Sequence, residues 1–192
     1  MKFTRADAWN LLNEYTKNPS LIKHALAVEA SMQAYAKKFG EDVEKWGITG
    51  LLHDFDYEQY PSAQDHPFKG CDILRELGYP EDMIHAILGH AEYSGVKRES
   101  LLDKTLFAVD ELSGFVTAVA LVRPSKSIFD VDAKAVKKKL KDKAFAKGVS
   151  RDDVYKGIEE LQVDMDEHIQ FVIDALAEKA DELGIRGVTV EA

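Results

Sequence analysis

The chain has 192 residues, a length typical of one domain of ordinary size. Apolar residues make up 45% and charged residues 31%, a composition that indicates a globular fold and excludes a collagen-like or mostly disordered chain. The formal net charge of −9 argues against a general nucleic-acid binder, although it leaves room for a local basic site. The single cysteine, Cys71, excludes an intrachain disulfide and a cysteine-rich zinc module.

The first residues give no sign of targeting. Residues 1–7 lack the apolar core of a signal peptide. No run approaches the ~20 apolar residues needed to span a bilayer. We therefore expect a cytoplasmic protein that has no membrane partner.

Apolar residues recur at helical spacing along nearly the whole chain. Gly40 stands where a helix C-cap is expected, and Ser150 with Asp153 resembles a capping box. Residues 55–65 are aromatic, acidic and proline-containing, which is typical of a loop. The predicted helices cover residues 4–15, 21–39, 42–53, 67–77, 83–90, 101–121, 133–144, 152–161 and 164–183. This pattern predicts an all-α fold.

The composition changes after Arg123 and Pro124. Residues 126–147 contain eight lysines against three aspartates. We therefore predict a helical core over residues 1–124 and a helical C-terminal extension over residues 125–192 that packs on the same core.

Several polar residues occupy positions where an apolar side chain is expected. His53 and Asp54 follow an apolar run at a helix end, and Asp110 lies inside an apolar helix. A buried carboxylate without a partner costs several kcal/mol, so Asp110 requires a cation, either a metal ion or a basic side chain. The histidines are His24, His53, His66, His85, His90 and His168. His85 and His168 have no supporting context, and we expect both at the surface.

The ordered set of histidines and aspartates resembles the HD-domain superfamily of metal-dependent phosphohydrolases, in particular its small members with the HDIG-type pattern. The family is named after a His-Asp pair, which His53 and Asp54 match at the end of an apolar helix. His24 matches the first histidine of the family, and Asp110 matches its closing aspartate. The stretch from His66 to Gly70 resembles the His-Pro-x-x-Gly element, and residues 86–90 resemble the element that carries the second additional histidine. The resemblance covers about residues 20–120.

The resemblance implies an HD-domain helical bundle that binds one or two divalent metal ions. The first ion would be held by the side chains of His24, His53, Asp54 and Asp110. His66 and His90 would hold a second ion, with Asp54 as the bridge. Imidazole and carboxylate ligands suit Mn, Fe, Co, Ni, Zn or Mg, and the sequence does not choose among them.

The implied reaction is hydrolysis of a small-molecule phosphate ester, a nucleotide-like monoester or diester, by metal-activated water. The residues predicted to act on water and protons are Asp54, Asp56 and Glu58. The residues predicted to bind phosphate are Lys69, Arg123 and Lys126, because lysine and arginine neutralise phosphoryl oxygens.

Two other interpretations remain open at this stage. The first is a non-catalytic metal- or nucleotide-binding module that engages RNA or a protein partner through the lysine-rich helix within Lys134–Lys147. The second is a structural helical protein with histidines scattered by chance. Ala133, Val136 and Leu140 predict an amphipathic helix in the lysine-rich stretch. We favour a solvated helix there, with nucleic acid as the less favoured partner.

Overall fold

A computed structural model describes residues 3–188. Residues 1, 2 and 189–192, at the ends of the predicted core and extension, lie outside the described residues. The described residues form helices and no strand, which confirms the predicted all-α class. The helices are α1 Arg5–Tyr15, α2 Pro19–Phe39, α3 Val43–Leu52, α4 Phe68–Leu77, α5 Glu81–His90, α6 Leu101–Leu121, α7 Ala133–Leu140, α8 Arg151–Leu161, α9 Met165–Glu178 and α10 Ala180–Leu183.

Local capping explains where most helices begin and end. Thr4 and Asp7 form a capping box at the start of α1, and Asp42 accepts a hydrogen bond from the backbone of Lys45 at the start of α3. Gly40 ends α2 with a φ of 74°, a left-handed conformation that glycine adopts without a steric penalty. These boundaries agree with the sequence patterns to within about two residues.

The central helices α2, α3 and α6 pack against one another around the core. Gly50 allows α3 to approach α2 closely, since a Cβ atom at this position would lie 3.0 Å from the carbonyl oxygen of Val28. Gly157 does the same for α8 on α6, where a Cβ atom would lie 2.6 Å from the Cα atom of Ala108. These close contacts fix the positions of the helices that carry the predicted ligands.

The C-terminal helices share this core. The buried cluster contains Val154 of α8 and Val172 of α9 together with Leu106 and Val109 of α6. The extension therefore packs on the same apolar centre as the preceding helices, while a domain boundary at residue 124 stays a prediction. In the described part of the chain, no helix combines the length and apolar character needed to span a bilayer.

The expectation that His168 lies at the surface is wrong. The ring is buried between α9, α2 and α6, where the Tyr35 hydroxyl donates to Nδ1 at 2.5 Å and Nε2 donates to the Ala108 carbonyl at 3.0 Å. Burial lowers the pKa of His168 to about 4, so the ring is neutral at physiological pH. His85, in contrast, is half-exposed and lies 3.1 Å from the Asp103 carboxylate.

Two predicted helices of the extension are shorter than their patterns indicate. The helix expected over residues 164–183 is interrupted at Lys179, which separates α9 from α10. The helix expected over residues 133–144 ends at Leu140. Residues 141–150 form turns and bends, because the Arg151 side chain binds backbone carbonyls of this segment that a helix would use internally.

Candidate metal centre

The predicted ligands come from five separate segments of the chain. His24 lies in the second turn of α2, His53 caps the C-terminus of α3, and Asp54 follows it. His66 precedes α4, His90 is the last residue of α5, and Asp110 lies in the middle of α6. The packing of these helices determines whether residues so distant in sequence meet.

Four of these side chains converge on one point. The Nε2 atom of His24 lies 2.9 Å from Asp110 Oδ1 and 3.2 Å from His53 Nε2. The His53 Nε2 atom lies 3.2 Å from Asp110 Oδ1 and 3.4 Å from Asp54 Oδ2. The longest of these separations, 3.9 Å, joins His24 Nε2 and Asp54 Oδ2. The four residues predicted for the first ion thus lie around His53, which belongs to two compact groups, one with His24 and Asp110 and one with Asp54 and His90.

The spacing and chemistry of these atoms fit a divalent cation. Ligands at ~2.1 Å from an ion, on adjacent corners of an octahedron, are about 3 Å apart. Each of the two nitrogens lies between 2.9 and 3.9 Å from each of the two oxygens, and together these atoms form the mixed donor set that divalent transition metals accept. His24, His53 and Asp110 alone already form a group compact enough to hold a metal ion.

A second cluster shares Asp54 with the first. Its Oδ1 atom lies 3.1 Å from His66 Nε2 and 3.1 Å from His90 Nε2. The other oxygen of the same carboxylate faces His53 in the first cluster. Asp54 is therefore placed to bridge two positively charged centres, one on each oxygen.

Hydrogen bonds on the opposite ring nitrogens orient three of the histidines. The Nδ1 atom of His53 donates to the Gly50 carbonyl at 2.7 Å, and that of His90 donates to the Ile87 carbonyl. The Nδ1 atom of His66 donates to the Asp56 carboxylate at 2.8 Å. With the proton on Nδ1, each Nε2 carries the lone pair that a metal ligand needs, which is a common arrangement around bound metals.

The electrostatics of the site favour positive charge at the centre. Burial lowers the pKa of His53, but the Asp54 and Asp110 carboxylates outweigh burial and hold this pKa well above its usual value. Burial also lowers the pKa of His66, but hydrogen bonds to Asp54 and Asp56 outweigh burial and raise this pKa to about 9. Burial would raise the pKa values of Asp54 and Asp110, yet the neighbouring histidines keep them well below the ordinary range. Protons or metal cations are alternative sources of the charge that these carboxylates require.

The two clusters form the floor of an open cavity of about 400 Å³. Beyond the ligands, the walls are formed by Tyr57, Ala91, Glu92, Tyr93, Phe107, Glu111, Gly114, Val149 and Asp153. Among the described residues, no lysine or arginine lines this cavity. Arg98 and Lys156 contact the wall residue Glu92, and both are held there in ion pairs.

The structure does not bring two of the predicted acid–base residues to the cavity. Asp56 is buried beneath His66 and uses both carboxylate oxygens, one for His66 and one for the Gly70 amide at 2.8 Å. Asp56 therefore orients a ligand rather than facing a substrate. Glu58 is exposed and accepts hydrogen bonds from the backbone amides of Lys17 and Asn18, which precede α2.

The three predicted phosphate-binding residues are also absent from the cavity walls. Lys69 is exposed on α4, although it lies only one turn after His66. Arg123 and Lys126 follow the end of α6, and α6 continues for eleven residues, about 17 Å, beyond Asp110. The connection that follows pairs with the C-terminal segment, through Ser127 and Arg186, and does not fold back over the cavity.

The sequence patterns missed several wall residues. Glu111 directly follows Asp110, and burial together with the Asp110 charge raises its pKa to about 7. Its position next to a predicted ligand was a usable signal. Val149 and Asp153 come from the C-terminal extension, and no local pattern connects them with the histidines.

A histidine–aspartate pair at a helix end, completed by a histidine from an earlier helix and an aspartate from a later one, defines an HD-type metal centre. Residues 21–114 match the family model described as HD domain. Residues 21–114 therefore form an HD domain, the domain of a superfamily of metal-dependent phosphohydrolases, which confirms the resemblance seen in the sequence.

Curated proteins named Ribonuclease Y are similar to part of the chain. The relative from Lawsonia intracellularis is 32% identical over 109 residues, which are 55% of this chain and 20% of the relative. The relative from Pelobacter propionicus is 34% identical over 104 residues, 52% of this chain and 19% of the relative. The chain thus spans about a fifth of the length of the curated relatives it matches. No solved structure gave a significant match.

Proposed function

We propose that the chain is a metal-dependent phosphohydrolase that cleaves a nucleotide-type phosphodiester. The observation that carries the proposal is that the ligand nitrogens of His24 and His53 each lie within 3.9 Å of both the Asp54 and the Asp110 carboxylates. In a purely structural protein, buried carboxylates are paired with basic side chains, whereas here they face histidines around an open cavity.

Asp54 is the central catalytic residue of the proposal. Its carboxylate is the only one that contacts histidines of both clusters among the described residues, and it lines the cavity. It would orient a water molecule on the cavity side by accepting a hydrogen bond from it, and it would keep the two clusters at a fixed separation.

The remaining ligands would hold the cations and would not transfer protons. His24, His53 and Asp110 would hold one divalent cation, and His66 and His90 would hold a second with Asp54. A divalent cation in such a site neutralises phosphoryl oxygens and lowers the pKa of water from about 15.7 towards 7. Since no lysine or arginine lines the described cavity, bound cations and protonated histidines would be the sources of positive charge for a phosphate ester inside it.

The walls of the cavity support a nucleotide-type substrate. The rings of Tyr57, Tyr93 and Phe107 line it, and the two tyrosines are partly exposed. Aromatic side chains of this kind stack on nucleobases without strong preference for sequence. The name of the similar relatives, Ribonuclease Y, also favours a phosphodiester of RNA over a monoester.

The test compares two histidine variants by metal content and by hydrolysis. We expect purified wild-type protein to contain divalent metal and to hydrolyse bis(p-nitrophenyl) phosphate. His53→Ala should lose both properties, whereas His85→Ala, a half-exposed histidine away from the cavity, should keep both. Asp54→Asn preserves the size of the side chain and serves as a second variant if His53→Ala does not fold. Full metal occupancy in the double variant of His53 and Asp54 to alanine would refute the proposal.

A further inference from the structure

A basic groove adjoins the candidate metal centre. Its walls come from the segment 141–150 and the start of α8, and we define it by the side chains of Lys141, Lys143, Lys147, Arg151 and Tyr155. Val149 lines both this groove and the metal-centre cavity. The backbone amide of Ser150, another groove residue, donates to the cavity residue Glu111 at 3.2 Å. The groove therefore lies next to the cavity, with Val149 between the two.

The groove carries positive charge that its own residues do not neutralise. Lys141, Lys143 and Lys147 are exposed, and none of them forms an ion pair with a described residue. Other lysines nearby differ, since Lys137 pairs with Asp166 and Lys139 pairs with Asp142. Asp152 is the acidic residue that lines the groove. Three free ammonium groups on a protein with a net charge of −9 form a local anion-binding surface.

The segment that presents these lysines is held in a fixed conformation. The Arg151 guanidinium donates to the carbonyls of Ala146 at 2.6 Å, Val149 at 2.9 Å and Asp142 at 3.2 Å, and also to that of Phe145. Arg151 also lies 4.9 Å from the ring centre of Phe115 in the core of α6. An anchored segment presents its side chains with less loss of conformational freedom on binding than a mobile one.

We propose that the basic groove binds the backbone of a single-stranded oligonucleotide while one phosphodiester of that strand occupies the metal centre. The proposal rests on the proposed function and adds a substrate class, a polymer rather than a free nucleotide. A cavity of about 400 Å³ is at the small end of ligand sites, so a longer strand must cross its rim. On leaving the cavity past Val149, such a strand meets the lysines and the exposed ring of Tyr155, on which a base can stack.

The test removes the groove charges and measures strand binding. The triple variant Lys141→Gln, Lys143→Gln and Lys147→Gln is compared with a control in which Lys37, Lys97 and Lys134, exposed lysines outside the groove, become glutamine. Binding of labelled twelve-nucleotide U and dT strands with phosphorothioate linkages is followed by fluorescence anisotropy on the metal-loaded protein. Each lost phosphate contact is worth about fivefold at 0.1 M salt, so the groove variant should bind about 100-fold more weakly.

The salt dependence gives a second readout. The slope of log Kd against log salt should fall by about 2 in the groove variant, since each single-strand phosphate contact contributes about 0.7. The control variant should keep both the affinity and the slope. A preference between the U and dT strands would distinguish RNA from DNA. Unchanged affinity in the groove variant, or equal losses in both variants, would overturn the proposal.

The outcome is separable from that of the proposed function. Hydrolysis of bis(p-nitrophenyl) phosphate, which is too short to reach the groove, should be equal in the wild type and the groove variant. Strand binding that needs the lysines in a protein without hydrolytic activity would support the groove and refute the proposed reaction. Hydrolysis without lysine-dependent strand binding would support the proposed reaction and refute the groove as a binding site.

Discussion

Asp56 offers a test of how the second cluster is built. Its carboxylate accepts hydrogen bonds from two donors, His66 Nδ1 and the Gly70 amide, each at 2.8 Å. Asparagine has one accepting oxygen and one donating nitrogen, so Asp56→Asn cannot satisfy both. If the amide oxygen stays with Gly70, the amide nitrogen faces His66 and favours the tautomer with its proton on Nε2. That tautomer has no lone pair on Nε2, the atom that faces Asp54, and cannot bind a metal ion there.

The expected loss of metal affinity in Asp56→Asn is confined to the second cluster. Removal of a carboxylate behind a histidine ligand typically lowers metal affinity 10- to 100-fold, or about 1.4–2.7 kcal/mol. His24, His53 and Asp110 do not contact Asp56, so the first cluster should keep its affinity. The unmatched donor should also cost about 1–3 kcal/mol of folding stability, because Asp56 is buried.

The assay is metal titration by calorimetry, combined with elemental analysis of the purified protein. Wild type should show two binding events, and Asp56→Asn should show one unchanged and one weakened. Glu58→Gln is the matched control, since Glu58 is two residues away and exposed, and it contacts only backbone amides in the described structure. Two unchanged events in Asp56→Asn, or equal weakening of both, would refute the reasoning.

Two further predictions concern stability. The pKa of His168 is about 4 in the folded protein and about 6.5 when unfolded, so protonation of the unfolded chain lowers stability as the pH falls from 6.5 towards 4. At pH 5 the loss of folding stability should reach about 2 kcal/mol. Urea denaturation at pH 7.5 and 5.0 should therefore show a difference in stability that is smaller by this amount in His168→Gln than in the wild type. The same difference in both proteins would contradict the prediction. Gly157→Ala should destabilise by about 1–3 kcal/mol, since its Cβ would meet the Ala108 backbone. A Cβ atom at Gly47 would meet the movable Gln33 side chain, so Gly47→Ala should be neutral or stabilising by up to about 1 kcal/mol. A loss of stability equal to that of Gly157→Ala would count against this explanation.

The sequence predicted those features that depend on local chemistry. Helix starts at Thr4 and Asp42, and the end at Gly40, follow from capping and backbone preferences that act within a few residues. The candidate metal ligands come together through long-range contacts, yet the sequence could predict them, because the order of histidines and aspartates along the chain resembles a known family. Asp110 could also be predicted on physical grounds, because a carboxylate in an apolar helix needs a cation.

The features that the sequence did not predict depend on contacts between distant segments. His168 has the same local surroundings as a surface histidine, and only the fold places Tyr35 and the Ala108 carbonyl at its two nitrogens. The end of α7 is set by Arg151, which lies eleven residues beyond Leu140. Lys69 has suitable spacing from His66, but the helix turns its side chain to solvent.

The metal-centre cavity and the basic groove differ in the sign of their charge. Besides the metal ligands, Glu92, Glu111 and Asp153 line the cavity, so its interior repels a phosphate ester unless cations are bound. The lysines that attract a polyanion instead stand outside, along the basic groove. With metal ions bound as proposed, this separation would keep ammonium groups from competing with them for Asp54 and Asp110. It also means that the C-terminal extension can change strand affinity without altering the ligand set, because Val149 and Ser150 link it to the rim and not to a ligand.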